Sequence, residues 1–345
     1  MHDPLAGPPF TPSVGSRWNF AVIGVGGYIA PKHLKAIADV GGTLVAACDL
    51  SDSVGVLDGF FPGARFFQSP PAFYAYLADV RRRTPNGRFF LTVCTPNHKH
   101  VSHTLDGVNA GWDVICEKPV TLSVGEAQGL RAMSEANGRT VWTVLQLRHN
   151  PELVALRERM LLKRERSNVT VEYVTPRGQW YDVGWKGDPD RSGGIAVNIG
   201  AHLFDILQWT FGQPLSKGVT VDYASRRAVG GSLKLERADV TWALSVDPQD
   251  LPGHPTFAEW AANPRAFAPR RTMTVDGEVV DLTGGAAATA GAGGFTDLHT
   301  EVYRSILTGR GAHLNTVILS MQLLDNVRRR ADALEHATAS PWGGE

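Results

Sequence analysis

Residues 18–50, WNFAVIGVGGYIAPKHLKAIADVGGTLVAACDL, constrain the fold of this chain more than any other stretch. WNFAVI favours a strand, Gly24-Val25-Gly26-Gly27 breaks it, PKHLKAIADV has the apolar spacing of a helix, and GGTLVAAC returns as a second strand. Two strands joined by a helical crossover must run parallel. Gly24 permits a tight turn, Gly26 lets the backbone approach a pyrophosphate, and the helix start offers its amides to that charge. Ile29 stands where a third glycine is usual, followed by Ala30. Asp49 ends the second strand, where a carboxylate accepts both ribose hydroxyls and repels a 2′-phosphate. Gly24, Gly26, Gly27, Tyr28, Ile29 and Asp49 are therefore the expected dinucleotide group, with NAD favoured over NADP.

The alternation continues through RFFLTVCTP, WDVICEKP and TVWTVLQLR, with helical spacing at 99–110 and 124–137. It indicates an α/β domain with a parallel sheet covered on both faces. VCTPNHKH then places Thr95, Pro96, Asn97 and His98 near the carboxyl edge of that sheet, where open α/β proteins bind ligands. Thr95, Pro96, Asn97 and His100 are the expected cofactor contacts of this stretch. Glu117 and Lys118 leave the next strand at the same edge. Lys118 could orient a hydroxyl and favour alkoxide character, or act as the base if its surroundings lower its pKa. Glu117 could contact a nicotinamide ribose or steady the lysine.

After Asn150 the rhythm changes to a helix at 151–165 and a run of strand candidates, NVTVEYVTPRGQWY, KGVTVDYASRR, GGSLKLERADVTWALSVD and RRTMTVDGEVVDL. They suggest a second α/β domain on a large, mostly antiparallel open sheet, with helices at 199–210, 296–307 and 314–334. The expected division is an extension at 1–17, a dinucleotide domain at 18–147, a substrate and oligomerisation domain at 148–335 and a tail at 336–345. A chain of 345 residues exceeds the usual single core, which agrees with two domains. Its 34 basic and 34 acidic residues balance, giving no electrostatic reason for a nucleic-acid or anionic-membrane partner. The three cysteines, Cys48, Cys94 and Cys116, suit core packing in a reducing compartment, and no metal site is expected. The Pro-rich start lacks the charged and apolar regions of a signal peptide, and no apolar run reaches membrane-spanning length. The expectation is a cytoplasmic protein.

Two further clusters carry chemistry. Arg148 and Asn150 follow the strand that returns toward the domain junction. Arg177, Trp180, Tyr181, Trp185 and Lys186 fall within one short interval, and aromatic faces beside cations suit a base or sugar next to a diphosphate. GGIAVNIGAHLFD holds Asn198 and His202 four residues apart in an apolar run. Asn198 could cap the helix, and the spacing would stack both side chains on one face. His299 and Tyr303 share a face in GFTDLHTEVY.

Together the glycine turn, TPNHKH, CEKP and GGIAVNIGAHLFD resemble the glucose–fructose oxidoreductase, inositol dehydrogenase and MocA superfamily, in an order spanning Asn19 to Leu334. IGVGGYIAPKH, LQLRHN, RGQWY, WKGDP and VNIGAHLFD are closer still to its WlbA/WbpB-type sugar-nucleotide dehydrogenases. That resemblance implies NAD-dependent oxidation of the C3′ hydroxyl of UDP-N-acetylglucosaminuronic acid to the 3-keto sugar, for surface-polysaccharide (lipopolysaccharide O-antigen) precursors. It also implies a homotetramer and a 2-oxo acid such as 2-oxoglutarate for cofactor regeneration. It assigns proton handling to Lys118 and His202, and places Arg148, Asn150, Arg177, Trp180, Tyr181, Trp185, Lys186, Asn198, His202 and His299 toward the substrate. The superfamily often has an Asp four residues before its histidine. Asn198 stands there, so it is expected to orient and not to exchange protons.

Overall fold

A computed structural model describes residues 18–282 and 298–339. The expected extension 1–17, the Gly/Ala loop and the end of the tail lie outside those residues. In the first half, β1 (Trp18–Ile23), β2 (Thr43–Cys48), β3 (Arg65–Phe67), β4 (Arg88–Val93), β5 (Asp113–Cys116) and β6 (Val141–Thr143) run parallel in the sheet order β6-β5-β4-β1-β2-β3. Helices α1 (Ala30–Asp39), α2 (Pro70–Arg83), α3 (His100–Asn109) and α4 (Val124–Ala136) connect them. Phe20, Ala21 and Val22 are all buried, without alternation, because helices cover both faces of the sheet. The strand order reverses between β1 and β4, which opens the ligand crevice there.

The second half opens with α5 (Pro151–Leu162) and builds a six-stranded sheet from β7 (Ser167–Val174), β8 (Pro214–Ala224), β9 (Ala228–Leu235), β10 (Ala238–Ser245), β11 (Arg270–Val275) and β12 (Glu278–Asp281). Its order is β12-β11-β7-β10-β9-β8. Only the β7–β10 pair is parallel; the others are antiparallel. The run GGSLKLERADVTWALSVD, read as one strand candidate, is a hairpin that turns at Glu236-Arg237. Leu233 and Leu235 on one arm and Val240, Trp242 and Leu244 on the other all reach the same core, so both arms obey strand alternation.

Between β7 and β8 the chain forms α6 (Trp180–Val183), α7 (Pro189–Ser192), α8 (Gly194–Asn198) and α9 (Gly200–Phe211). Helix α9 is almost wholly buried, with the Phe204 ring 5.0 Å from Trp242 at an interplanar angle of 86°. Helix α10 (Phe257–Ala262) follows β10. Helix α11 (Leu298–Leu307), β13 (Ala312–His313) and α12 (Leu314–Ala339) complete the described chain. The chain crosses back at this point. Val302, Tyr303 and Ile306 share a core with Phe20, Leu34 and Ile37, and β13 pairs antiparallel with β6. The late segment 298–317 thus packs into the first sheet, carrying His299 to its crevice and burying Tyr303 in the core behind it.

Candidate active site

The glycine turn is forced by its neighbours. Gly24 has φ +85°, and a Cβ there would stand 2.8 Å from Cys94 C and Thr95 N at the end of β4. Its N–H donates to Cys48 O at 2.8 Å, which ties the turn to the end of β2. Asp49 follows directly, accepting from Gly26 N at 2.9 Å and Ser51 N at 3.0 Å. Helix α1 has no side-chain cap and no acidic residue in its first turn. Ala30 N donates to Gly27 O at 3.1 Å, Lys32 N donates to Ile29 O at 3.0 Å and Pro31 has no N–H. The helix start therefore meets an anion with its positive dipole end, and the turn, the helix start and Asp49 fit the pyrophosphate and ribose of NAD. Asp49→Asn keeps an acceptor for Gly26 but removes the charge, so NAD affinity should fall about tenfold, the loss expected for charged hydrogen bonds. Calorimetric titration with NAD and NADP checks this, and unchanged NAD affinity would remove Asp49 from the site.

The ends of β4 and β5 are locked together. His100 is buried and bridges them, with Nδ1 2.7 Å from Pro119 O and Nε2 2.7 Å from Thr95 O. Burial lowers its pKa even though both carbonyls favour the charged ring. His100 was expected among the cofactor contacts; both its ring nitrogens are instead engaged by backbone, and it holds the two loops. Asn97 is also buried, its amide donating to Ser192 O at 2.9 Å and Asn198 Oδ1 at 3.4 Å across the domain junction.

Glu117 is likewise engaged inward. Its Oε1 accepts from His33 Nε2 at 2.9 Å and His299 Nε2 at 3.4 Å, and its Oε2 accepts from Lys118 N at 3.1 Å. Burial would raise its pKa, but the two imidazoles hold the carboxyl well below the usual range. The three ligand atoms of His33, Glu117 and His299 lie within 4.8 Å of one another, a set composed like a metal site. Their mutual hydrogen bonds already occupy the facing lone pairs and N–H groups.

Lys118 lies between the domains, Nζ donating to the backbone carbonyl of Asn198 at 3.0 Å. Burial brings its pKa down to about 8; Glu117 opposes this, while Lys186 and Arg177 add to it. Across the cleft, His202 is buried and its Nε2 is 3.4 Å from the Gln146 amide nitrogen. Burial first, then the charge of Lys118, holds its pKa well below the ordinary histidine value. The expected cap and shared helical face of Asn198 are corrected here. Asn198 ends α8, the cap position of α9 is Ile199, and no side chain caps that helix. Asn198 and His202 still line one cleft, from either side of the break at Ile199.

This cleft, about 650 Å³, also gathers Tyr28 and Ile29 from the glycine turn and Glu117, Lys118 and His299 from the crevice. Arg177, Trp180, Tyr181 and Lys186 close it from the second domain. Trp185 lies outside the lining, with the Lys186 ammonium 5.7 Å from its ring centroid. Arg148 and Asn150, expected on the substrate side, are not brought there. Arg148 grips buried Asp205 with two hydrogen bonds, 2.8 and 2.6 Å, and Asn150 caps α5 by accepting from Glu152 N at 2.9 Å. A larger open groove of about 1040 Å³ beside Trp18, Asp39 and Arg304 gathers none of the expected cofactor, substrate or catalytic residues.

The structure adds Gln146, Tyr173 and Arg271, which the sequence reading did not single out. Arg271 sits over the Tyr173 ring at 5.5 Å, and its Nε is buried without a hydrogen-bond partner. Among the described residues no carboxylate forms an ion pair with Arg177, Lys186 or Arg271. Burial, then Arg271, lowers the Arg177 pKa; burial, then Arg177, lowers that of Lys186. Three clustered cations without a paired acid make a site for an anion.

Residues 18–145 match an oxidoreductase family described as having an NAD-binding Rossmann fold, and 167–239 match its C-terminal alpha/beta domain. The chain belongs to this GFO/IDH/MocA oxidoreductase family. A solved structure of the WlbA (WbpB) dehydrogenase from Thermus thermophilus with NAD and alpha-ketoglutarate is 41% identical. It covers 90% of this chain and 94% of that one, with a TM-score of 0.80. The Thermus enzyme with NAD and UDP-GlcNAcA is 40% identical over the same shares, TM-score 0.79. The WlbA dehydrogenase of Bordetella pertussis, 21% identical with a TM-score of 0.71 over 92% of this chain and 96% of that one, shares the fold. Among curated sequences, the D-glucoside 3-dehydrogenase of Escherichia coli is 28% identical over 136 residues. An uncharacterized oxidoreductase of Schizosaccharomyces pombe is 27% identical over 140 residues. The match spans 37% of the length of each of these two relatives, and 37% and 40% of this chain. Among the described residues no helix is long and apolar enough to cross a membrane.

Proposed function

We propose that this protein is an NAD-dependent dehydrogenase that oxidises the C3′ hydroxyl of UDP-N-acetylglucosaminuronic acid to the ketone. The observation that carries the reading is the convergence, in one cleft between the domains, of Lys118 and His202 with the cation cluster. The two-domain likeness to the Thermus enzyme at 41% identity supports the substrate. Arg177, Lys186 and Arg271 supply the charge that a uronate carboxylate or a diphosphate requires, and Trp180 and Tyr181 offer faces to the base or sugar.

Bound NAD supplies the hydride acceptor. The protein must align the C–H bond and take up the hydroxyl proton. At neutral pH Lys118, with its pKa near 8, is mostly protonated and has no lone pair. His202 is neutral and has one. We therefore assign proton acceptance to His202 and stabilisation of the developing alkoxide to the Lys118 ammonium. As the C3′–H bond breaks, its electron pair leaves as hydride, the O–H electrons form the carbonyl, and the proton moves to His202.

The test is to incubate the purified protein with NAD and a panel of UDP-sugars with and without a C6 carboxylate, at single turnover and with 2-oxoglutarate present. Formation of a 3-keto UDP-uronic acid is expected, faster with the 2-oxo acid if NADH stays bound and is recycled. Absence of that product under both regimes overturns the substrate assignment. Sedimentation of the same preparation decides whether the chain is the tetramer that the resemblance implies.

A further inference from the structure

A chain of buried hydrogen bonds runs from the sheet to the cleft and has one self-consistent polarity. Glu117 is ionised and only accepts. His33 and His299 must therefore each carry a proton on Nε2, the nitrogen facing Glu117 Oε1 at 2.9 and 3.4 Å. Burial keeps His33 neutral, lowering its pKa despite Glu117, so His33 Nδ1 is an acceptor. It takes the Tyr303 hydroxyl proton at 2.9 Å, and Tyr303 in turn accepts from Thr92 Oγ1 at 2.8 Å. Every donor in this chain has an acceptor. His33, Thr92, Tyr303 and His299 are all buried, and the two imidazoles pack edge to face with centroids 5.0 Å apart.

In the neutral ring this polarity puts the proton of His299 on Nε2, and Nδ1 is then a lone-pair nitrogen. That atom is buried and has no hydrogen-bond partner, and His299 lines the cleft beside Glu117 and Lys118. A buried acceptor without a donor costs on the order of a lost hydrogen bond, and that cost is relieved when a ligand donor arrives. We propose that His299 is a ligand-binding residue whose tautomer is fixed by the Glu117–His33–Tyr303–Thr92 chain, so that Nδ1 accepts a hydroxyl proton of the bound sugar or of the cofactor's ribose. Glu117 is thereby a positioning residue that acts through His299. An oxygen that only accepts, such as a carboxylate or ketone, is rejected at this point of the cleft. This deepens the dehydrogenase reading and rests on it for the sugar, but not for the cofactor.

Asparagine and glutamine mimic different nitrogens of histidine, which separates the two ends of His299. His299→Asn places an amide at the Nδ1 position and loses the contact to Glu117. His299→Gln reaches Glu117 but offers nothing at Nδ1. Binding of NAD alone and of each UDP-sugar of the panel is titrated by calorimetry for both variants, with thermal melts to verify folding. We expect His299→Gln to weaken one ligand about tenfold and His299→Asn to weaken it at least threefold less. Loss in the NAD titration assigns the hydroxyl to the ribose, and loss confined to a UDP-sugar assigns it to the sugar. A His299→Gln protein that binds NAD and every UDP-sugar as the parent does overturns the proposal, as does His299→Asn being the more damaging change. If the parent binds no UDP-sugar, the functional reading fails alone, and the NAD titration decides His299 by itself.

Discussion

His202→Asn should lower kcat/KM for the UDP-sugar about 1000-fold, within the range general-base groups contribute, while NAD affinity stays within twofold. The size follows from how few alternatives the cleft offers. Lys118 is cationic at neutral pH, Glu117 is bound by two imidazoles and a backbone amide, and Asn198 cannot take a proton. Burial and the Lys118 charge keep His202 neutral, so it is ready to accept over the whole physiological range. A 1000-fold loss corresponds to about 4 kcal/mol of transition-state stabilisation. Stopped-flow measurement of NADH formation at single turnover reads the chemical step directly, free of product release. Retention of activity within threefold would remove His202 from the proton transfer. The double variant with Lys118→Met should be little worse than the poorer single, since both groups serve one oxygen.

What was legible in the sequence sat on strand ends. The glycine turn, Asp49 and Lys118 are local patterns there, and a parallel sheet brings all its carboxyl ends to one edge. The His202 segment is the exception, a local pattern on α8 and α9. Other parts arrive through packing between distant segments. His33 looks like one more polar residue of α1, yet Ala30, His33, Leu34 and Ile37 all lie on its buried stripe. A histidine in the apolar spacing of a helix was the available signal. Arg271 gives the same kind of sign, since it shares a strand face with buried Met273 and Val275. Asn150 pointed the other way. Followed by Pro151 and Glu152 it has the form of a helix N-cap, and it is one. The pairing of Arg148 with Asp205, 57 residues away, has no local signature. Nor does the return of α11 into the first core, which turns His299 from a packing residue into a lining one.

Lys118→Met should reduce kcat/KM about 100-fold or more, as removal of an electrostatic stabiliser does, and the parent enzyme should show why in its pH profile. The ammonium is the active form in this assignment. A lysine with its ordinary pKa would keep that charge up to about pH 10.5, but burial and the neighbouring cations bring Lys118 to about 8. Activity should therefore decline as pH rises through about 8 and fall tenfold per unit above it. On the acid side His202 must be neutral, and its lowered pKa places that limb below 6.5. Lys118→Met should abolish the alkaline limb and, by removing a charge that holds the His202 pKa down, move the acid limb upward. Asn198→Asp supplies a carboxylate in the same cleft, favours the charged lysine, and should move the alkaline limb upward. The opposite profile, with activity rising through pH 8 and the rise lost in Lys118→Met, would exchange the two roles and make the neutral lysine the base. The sign of that slope decides between them because one group starts as a cation and the other neutral in one desolvated cleft, where a second cation is disfavoured by the first.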